Sequence, residues 1–410
     1  MNKKLKRVYG KILYQKLLYT LIIILVYIVG RCLPLYGVDV TRISYDSLDM
    51  QNMLMQTIGG DRNNSSLFAL GISPLIMSSI LVQVLGAIQG HEARAKTSPK
   101  KKMGVMFFFF FIIALFQAIF RVSKLPYKFI GGMALMEAQS ISVIELITGS
   151  FFIVWLISRN KKYGIGGQGI LIFINILDQI FGMILDMDKV YFLVIKNTII
   201  TIFILFFVLL VTILTESIEI RMPIQRISIH NIHADKNYLA FKFNPIGIMP
   251  IMFASAVYMV PRTIIMVIAG LYPEKRVLTE IIETTELNTS LGMALYVLVI
   301  FVLNYLYTFI TINPGDISEQ FLKSGDSLED IRAGKATKRY LTKKLLIVCF
   351  FSSCIMSAFI IVPMIMKEQG TLNPNIAAMI PTVMILTGIW INIYREIEAI
   401  GEYDSYRPII

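Results

Sequence analysis

His230 and His233 are three residues apart, a spacing that could put two imidazoles on one helix face. Neither these two nor His91 is joined by a cysteine or carboxylate cluster that would complete a metal site, so no zinc is expected. The three cysteines, Cys32, Cys349 and Cys354, all lie in apolar stretches and read as small buried hydrophobes. An odd count inside lipid-facing sequence does not make a disulfide framework. No G-x-x-x-x-G-K-[ST] phosphate loop is present, so ATP hydrolysis by this chain is not expected. No nucleophile–base–acid cluster stands out, so neither an enzyme nor a cofactor is implied. Asp178 is a carboxylate inside an apolar run, the kind of group a secondary transporter would use, but it lies toward one end of that run. Arg332 differs in kind. It has Asp326, Glu329 and Asp330 on one side and Lys335, Lys338 and Arg339 on the other. A guanidinium is a planar fork of five donors that can hold a partner's carboxylate in a fixed orientation.

The elements that must position these groups are set by composition. Of 410 residues, 56% are hydrophobic and only 16% charged, with a mean hydropathy of +0.67. Soluble domains carry about 25% charged residues. The class is therefore an all-α integral membrane protein, and the counting unit is a run long enough to cross a core of about 30 Å. Ten runs qualify: Leu17–Leu33, Ile72–Ile88, Gly104–Phe120, Ile141–Ile157, Gly167–Leu185, Tyr191–Leu214, Gly247–Ala269, Leu291–Ile312, Leu345–Met366 and Ala377–Ile393. The first follows a basic stretch like that of a signal peptide. With no small-residue cleavage site after it, it reads as a retained helix.

The net charge of +12 sits between the runs, which points to topology and not to nucleic acid. Taking alternate connecting segments, and leaving out Arg31 and Arg262 at helix ends, 27 lysines and arginines fall with the termini and 10 on the other side. Positive residues hold loops in the cytoplasm, so both termini are expected there, with the plasma membrane as the compartment. Five runs precede the short segment near 186–189 and five follow it. An odd number per half inverts the second half in the membrane, so residues 1–188 and 189–410 read as inverted five-helix halves with a site between them. Two cytoplasmic loops are long, near 216–244 and 313–344. The second has seven basic and five acidic residues and reads as a solvated hairpin or a docking surface. The first external segment, Pro34–Leu70, contains a stretch from Ser44 to Ile58 that is too polar to span and too apolar to be a free linker.

Four segments are more specific. They are LGISPLIMSSILVQ (Leu70–Gln83), YGIGGQGILIF (Tyr163–Phe173), NPIGIMPIMFAS (Asn244–Ser255) and NPGDISEQFLKSGDSLEDIRAGKATKRYL (Asn313–Leu341). Each has a local reading. Pro74 and Pro250 interrupt the helix ladder near the start of the second and seventh runs. The glycines at 164, 166, 167 and 169 allow a strained turn or close backbone approach, and Asn313-Pro314-Gly315-Asp316 is a turn that ends the eighth run. Any one alone is helix punctuation. Together, in this order and spacing, they resemble the hallmark segments of the SecY family of protein translocases, and the resemblance runs from the first helix through the tenth.

That resemblance implies a clamshell of two five-helix halves around an hourglass pore. A waist ring is implied at Ile76 and Ile80 on the second helix, Ile174 on the fifth, Met252 on the seventh and Leu386 on the tenth. A narrow apolar ring dewets and blocks ions yet yields to a passing chain, and the flexible Met252 suits that role. The segment around Ser44 to Ile58, within an external region near 40–70, looks like a plug. Helices two and seven would form a lateral gate, with Gln83 and Ser255 lining it. The family further implies a SecA-type motor ATPase docked on the long loops at Arg332, Lys335 and Arg339, small SecE-like and SecG-like membrane subunits, and a secretory polypeptide as cargo.

The sequence also departs from the family pattern. The usual glycine-asparagine-glycine before helix five is Gly167-Gln168-Gly169, and the usual proline after the hairpin arginine is Ala333. The plug region is polar, and helix ten has Pro381-Thr382 where a glycine-threonine pair is usual. These features suit an accessory paralogue of the kind that exports serine-rich repeat adhesins in some Gram-positive bacteria. A housekeeping translocase is the alternative, and a secondary transporter or membrane-embedded hydrolase is more remote.

Overall fold

The computed structural model describes residues 3–39, 65–88, 98–123, 125–128, 135–185, 195–225, 237–271, 276–287, 289–370 and 372–405. The helices are α1 (Lys3–Cys32), α2 (Ser73–Ile88), α3 (Pro99–Val122), α4 (Leu135–Tyr163), α5 (Gly169–Leu185), α6 (Ile195–Ser217), α7 (Met249–Leu271), α8 (Arg276–Thr284), α9 (Ser290–Thr311), α10 (Pro314–Ser324), α11 (Lys335–Glu368) and α12 (Pro374–Ser405). Each of the ten apolar runs overlaps one of these helices, residues 191–194 of the sixth run lying outside the described residues. Among the described residues, seven helices are long and apolar enough to cross a membrane, while α2 and α5 are shorter apolar helices. Helices suit a bilayer because they satisfy every backbone group internally.

α3 shows how such a helix meets its surroundings. Its buried residues are Phe110, Ala114, Ala118 and Val122, one every four positions, so they form a single stripe. The two alanines let a neighbouring backbone approach closely, as small residues do between membrane helices. Phe108, Phe111, Phe116 and Ile119 on the other faces are exposed, as suits a helix with apolar surroundings on those faces. Ser98 caps the helix by accepting from the Lys101 amide, and Pro99 occupies the first turn, where its missing N–H costs nothing.

Pro74 and Pro250 also stand in the first turns of α2 and α7, so they start their helices and interrupt no ladder. The prolines inside helices are Pro261, Pro363 and Pro381. Cys349 is buried as expected, but Cys32 is exposed at the end of α1; all three cysteines are free. The His230 and His233 pair, His91, and the plug stretch Ser44–Ile58 lie outside the described residues.

The chain forms two compact units. One comprises Met1–Asp188, Ser255–Ile282 and Ile389–Ile410, the other Lys189–Ala254 and Glu283–Gly388. In the second unit the two long loops fold together. Strands β1 (Glu219–Gln225), β2 (Tyr238–Lys242) and β3 (Ser327–Leu328) form a sheet ordered β2-β1-β3. The pairing is antiparallel, with Glu219 opposite Lys242 and Ile224 opposite Leu328. Met222, Phe241, Phe321, Leu328, Leu341 and Leu345 make one buried cluster beneath it. The segment 313–344 is therefore not a solvated hairpin. It is the helix α10, the strand β3 and the first turns of α11, which begins ten residues before the apolar run does.

Candidate functional site

The Arg332 region is built by the glycine, threonine and asparagine of the fourth motif. Asn313 caps α10 by accepting from the Gly315 amide at 2.9 Å, with Pro314 at the first helical position. The motif thus ends one helix and starts another. After β3 the chain turns tightly, with Asp330 at φ 60° and a bridge from Leu328 to Ile331. Gly334 has φ 99°, a backbone setting that L side chains rarely adopt. Its carbonyl accepts from the buried Ser318 hydroxyl at 2.6 Å. Thr337, fully buried, donates its hydroxyl to the Arg332 carbonyl at 2.9 Å. Thr337 therefore holds the turn that presents Arg332. Arg332 is exposed, as are Lys335 and Arg339, both of which lie on α11 and not in a loop. Among the described residues the Arg332 guanidinium makes no ion pair. The arrangement can receive an acidic surface.

The second motif forms a polar knot. Asn160, at the end of α4 and fully buried, donates to the carbonyls of Ile165 and Gly167, each at 2.9 Å. The Ile165 amide donates to the Thr20 hydroxyl of α1 at 2.8 Å. The Gly166 amide donates to Glu396 on α12 at 2.9 Å. Gly166 and Gly167 have φ of 77° and 47°. A Cβ at Gly164 would sit 2.0 Å from the Asn160 Oδ1. The glycines are thus required by positive φ and by close approach, and Gln168 stands between them without disturbing either.

Both ends of the segment 34–70 are fixed in the first unit. Pro34 bridges Ser66, and Val38 bridges Tyr127. The Leu35 amide donates to the Ser65 carbonyl at 2.8 Å, and Lys128 pairs with the buried Asp39 at 3.3 Å. Arg121 donates to the Ala69 carbonyl. Leu35, Val38, Ala69 and Leu70 share one core with Ala114, Ala118, Val122 and Leu146. Burial raises the Tyr127 phenol above its usual value, and the Glu145 carboxylate acts in the same direction.

Asp178 is paired with Arg31 at 2.7 Å, and Arg31 also lies over the Tyr27 ring at 6.0 Å. Tyr27, fully buried, donates to Asn175 at 2.8 Å. The carboxylate that a transporter would need to titrate is therefore tied to a permanent cation. Glu145 on α4 is a second carboxylate inside an apolar run, which the sequence reading passes over; it accepts from the Tyr36 amide at 3.0 Å. Among the described residues, no group of three or more His, Cys, Asp or Glu side chains could hold a metal.

The residues expected at the pore ring divide between the units. Ile76 and Ile80 lie one turn apart on α2, both buried, and Ile174 on α5 is half-buried. These belong to the first unit; Met252 on α7, buried, and Leu386 on α12, half-buried, belong to the second. α2 is tied to α3 by Gln117, whose amide donates to Ser73 at 3.3 Å and to the Met77 sulfur at 3.4 Å. Of the gate candidates, Gln83 is half-buried and Ser255 buried.

The SecY family model matches residues 66–394. The accessory Sec system protein translocase subunit SecY2 of Streptococcus sanguinis is 27% identical over 416 residues, covering 99% of this chain and 100% of its own. The protein translocase subunit SecY of the same organism is 29% identical over 412 residues, covering 94% of this chain and 93% of its own. Among solved structures, a protein-conducting channel overlays with a TM-score of 0.67 at 17% identity, over 96% of this chain and 93% of that one. Sec61 from a canine ribosome–channel complex overlays with a TM-score of 0.63 at 17% identity, over 96% and 93%. With a family match across most of its length, relatives aligned from end to end and the fold of a protein-conducting channel, the chain belongs to the SecY family.

Proposed function

We propose that this chain is the channel subunit of an accessory protein-export translocase, passing unfolded serine-rich repeat glycoprotein adhesins across the plasma membrane. The observation that carries the accessory assignment is the match, along nearly the whole chain, to accessory SecY2 subunits of Streptococcus sanguinis and Streptococcus gordonii at 27% identity. The departures at Gln168, Ala333 and Pro381 support the same reading. The housekeeping reading is kept open by a slightly higher identity, 29% against 27%.

In this reading ten helices cross the membrane in two inverted halves, 1–188 and 189–410, and both termini are cytoplasmic. Ile76, Ile80, Ile174, Met252 and Leu386 form the apolar waist, the segment near 40–70 is the plug, and Gln83 and Ser255 line a lateral gate. The chain conducts and does not catalyse. A SecA-type ATPase on Arg332, Lys335 and Arg339 supplies the drive, and small SecE-like and SecG-like subunits complete the complex. The Asp178 carboxylate is taken up in an ion pair with Arg31, which gives no support to a transporter reading.

Deleting the gene tests the assignment. Selective loss of serine-rich adhesins from the cell surface is the expected result, and a general block in secretion would transfer the chain to the housekeeping class. For orientation, a reporter active only outside the membrane should stay silent after Ile410; strong activity there would remove the even-span topology.

A further inference from the structure

α8 lies between two apolar helices and is itself too short and too polar to span. Around its axis, Val277, Leu278, Ile281 and Ile282 fall in one arc and Arg276, Thr279, Glu280 and Glu283 in the opposite one. None of its residues is buried, and Val277 is 65% exposed. A helix of this kind would cover its apolar arc if water were its only neighbour, because exposed apolar patches of that form mark an interaction surface.

What covers it follows from how it is fastened. The Thr289 hydroxyl caps α9 by accepting from the Gly292 amide at 3.0 Å. The same hydroxyl lies 2.7 Å from the carbonyls of both Thr284, the last residue of α8, and Glu286. The Thr289 amide donates to the Glu286 carbonyl at 3.0 Å, and a Cβ at Gly292 would sit 1.9 Å from that carbonyl oxygen. Leu287, in the turn between, is buried. One hydroxyl therefore joins the end of α8 to the first turn of α9. α9 opens one of the helices long and apolar enough to cross a membrane, and if it spans, its first turn marks the edge of the bilayer. The end of α8 at Thr284 is held within one turn of that edge, and the helix carries an apolar arc and a charged arc on opposite sides.

We infer that α8 is an in-plane membrane-surface helix, with Val277, Leu278, Ile281 and Ile282 in the headgroup–acyl boundary and Thr279, Glu280 and Glu283 in water. Such helices sit about 5–10 Å into that boundary. The inference rests on α9 being a span, and the control below separates the two. If α7 also spans, α8 moors the far end of the proposed gate helix to lipid.

The test uses the full chain with Cys32, Cys349 and Cys354 changed to serine, reconstituted in phosphatidylethanolamine–phosphatidylglycerol vesicles. Single cysteines at Val277, Thr279, Ile281 and Glu283 carry a nitroxide, and collision rates with oxygen and with a water-soluble nickel chelate are compared. Oxygen collisions should dominate at Val277 and Ile281 and nickel collisions at Thr279 and Glu283. Nickel dominance at all four sites would overturn the inference. Protection of Val277 and Ile281 from both probes would overturn it in favour of a protein partner over the apolar arc. A label at Leu298, exposed in the middle of α9, serves as the control. Nickel dominance at Leu298 would reject the span itself and not the placement of α8 alone.

Discussion

Asn244, the first residue of the third motif, donates its side-chain amide to the Glu216 carboxylate at 2.9 Å, twenty-eight residues back at the end of α6. Glu216 is 3% exposed and Asn244 2%. Ser352 of α11 donates to the other end of the same amide at 3.1 Å. Gly247, at φ 71°, passes so close that an added Cβ would sit 3.2 Å from a Glu216 oxygen. The motif that opens α7 is thus a turn wrapped around a buried carboxylate, and its asparagine is one of the groups that satisfy it.

A buried acceptor left without its donor costs about 1–3 kcal/mol. Asn244→Leu is expected to destabilise by that order. Asn244→Asp is expected to be worse, because it sets a second carboxylate against the first. Ser352→Ala removes one bond and is expected to cost about 1 kcal/mol. Thermal unfolding of the purified variants should find Asn244→Asp least stable, then Asn244→Leu, then Ser352→Ala. If Asn244→Asp melts with the wild type, Glu216 is not held by this amide.

The glycine knot predicts a contrast between two small substitutions. Gly164→Ala pushes a methyl into the Asn160 and Thr20 side chains, at 2.0 and 2.5 Å. At Gly86 nothing lies within 4 Å of an added Cβ. Gly164→Ala should cost on the order of 1–3 kcal/mol, the range for overpacking. Gly86→Ala should be neutral or slightly stabilising, since alanine favours a helix by about 1 kcal/mol. Equal melting temperatures for the two would show that the Thr20–Asn160 contact yields freely.

The proposed waist gives a third outcome. Asn in place of Ile174 or Leu386 puts hydrogen-bonding groups where the ring would exclude water, and an apolar constriction gates by dewetting. Ion leak through reconstituted vesicles should rise severalfold in both variants while abundance stays normal. Unchanged leak in both would reduce these side chains to helix packing.

The helical skeleton was legible in the sequence because lipid imposes one rule on every run, and that rule needs no knowledge of neighbours. Within the described residues the ten runs overlap helices, although α1, α4 and α11 extend well beyond their apolar parts. Those extensions are polar, so hydropathy stops where the bilayer would. The sheet was not legible, because β1 pairs with β2 from its own loop and with β3 from a loop a hundred residues later. No local pattern in Ser327–Leu328 announces such a partner. The same limit hid the Arg31–Asp178 pair, whose members are 147 residues apart. Motif matching found Arg332 and the glycines but gave no reason for Thr337, whose role appears only once its hydroxyl is seen on the Arg332 carbonyl.

Arg332 carries the last prediction. The turn that presents it is over-determined: Gly334 supplies a positive φ, Ser318 ties the Gly334 carbonyl, and Thr337 ties that of Arg332 itself. An exposed arginine pairing only with its own neighbours would be worth well under about 1 kcal/mol, too little to explain such scaffolding. A partner's carboxylate, bound by two parallel N–H groups, needs a fork at a defined place, and the turn fixes the backbone that carries it. Arg332→Glu reverses the charge without touching Ser318 or Thr337, so the variant should insert at normal abundance. Export of the native substrate should fail, and membranes carrying the variant should no longer stimulate the ATPase of the motor. Arg332→Lys keeps the charge but loses the fork, and should fall between the two. Full export with full ATPase stimulation in Arg332→Glu would remove the docking role and leave a surface charge on a well-built turn.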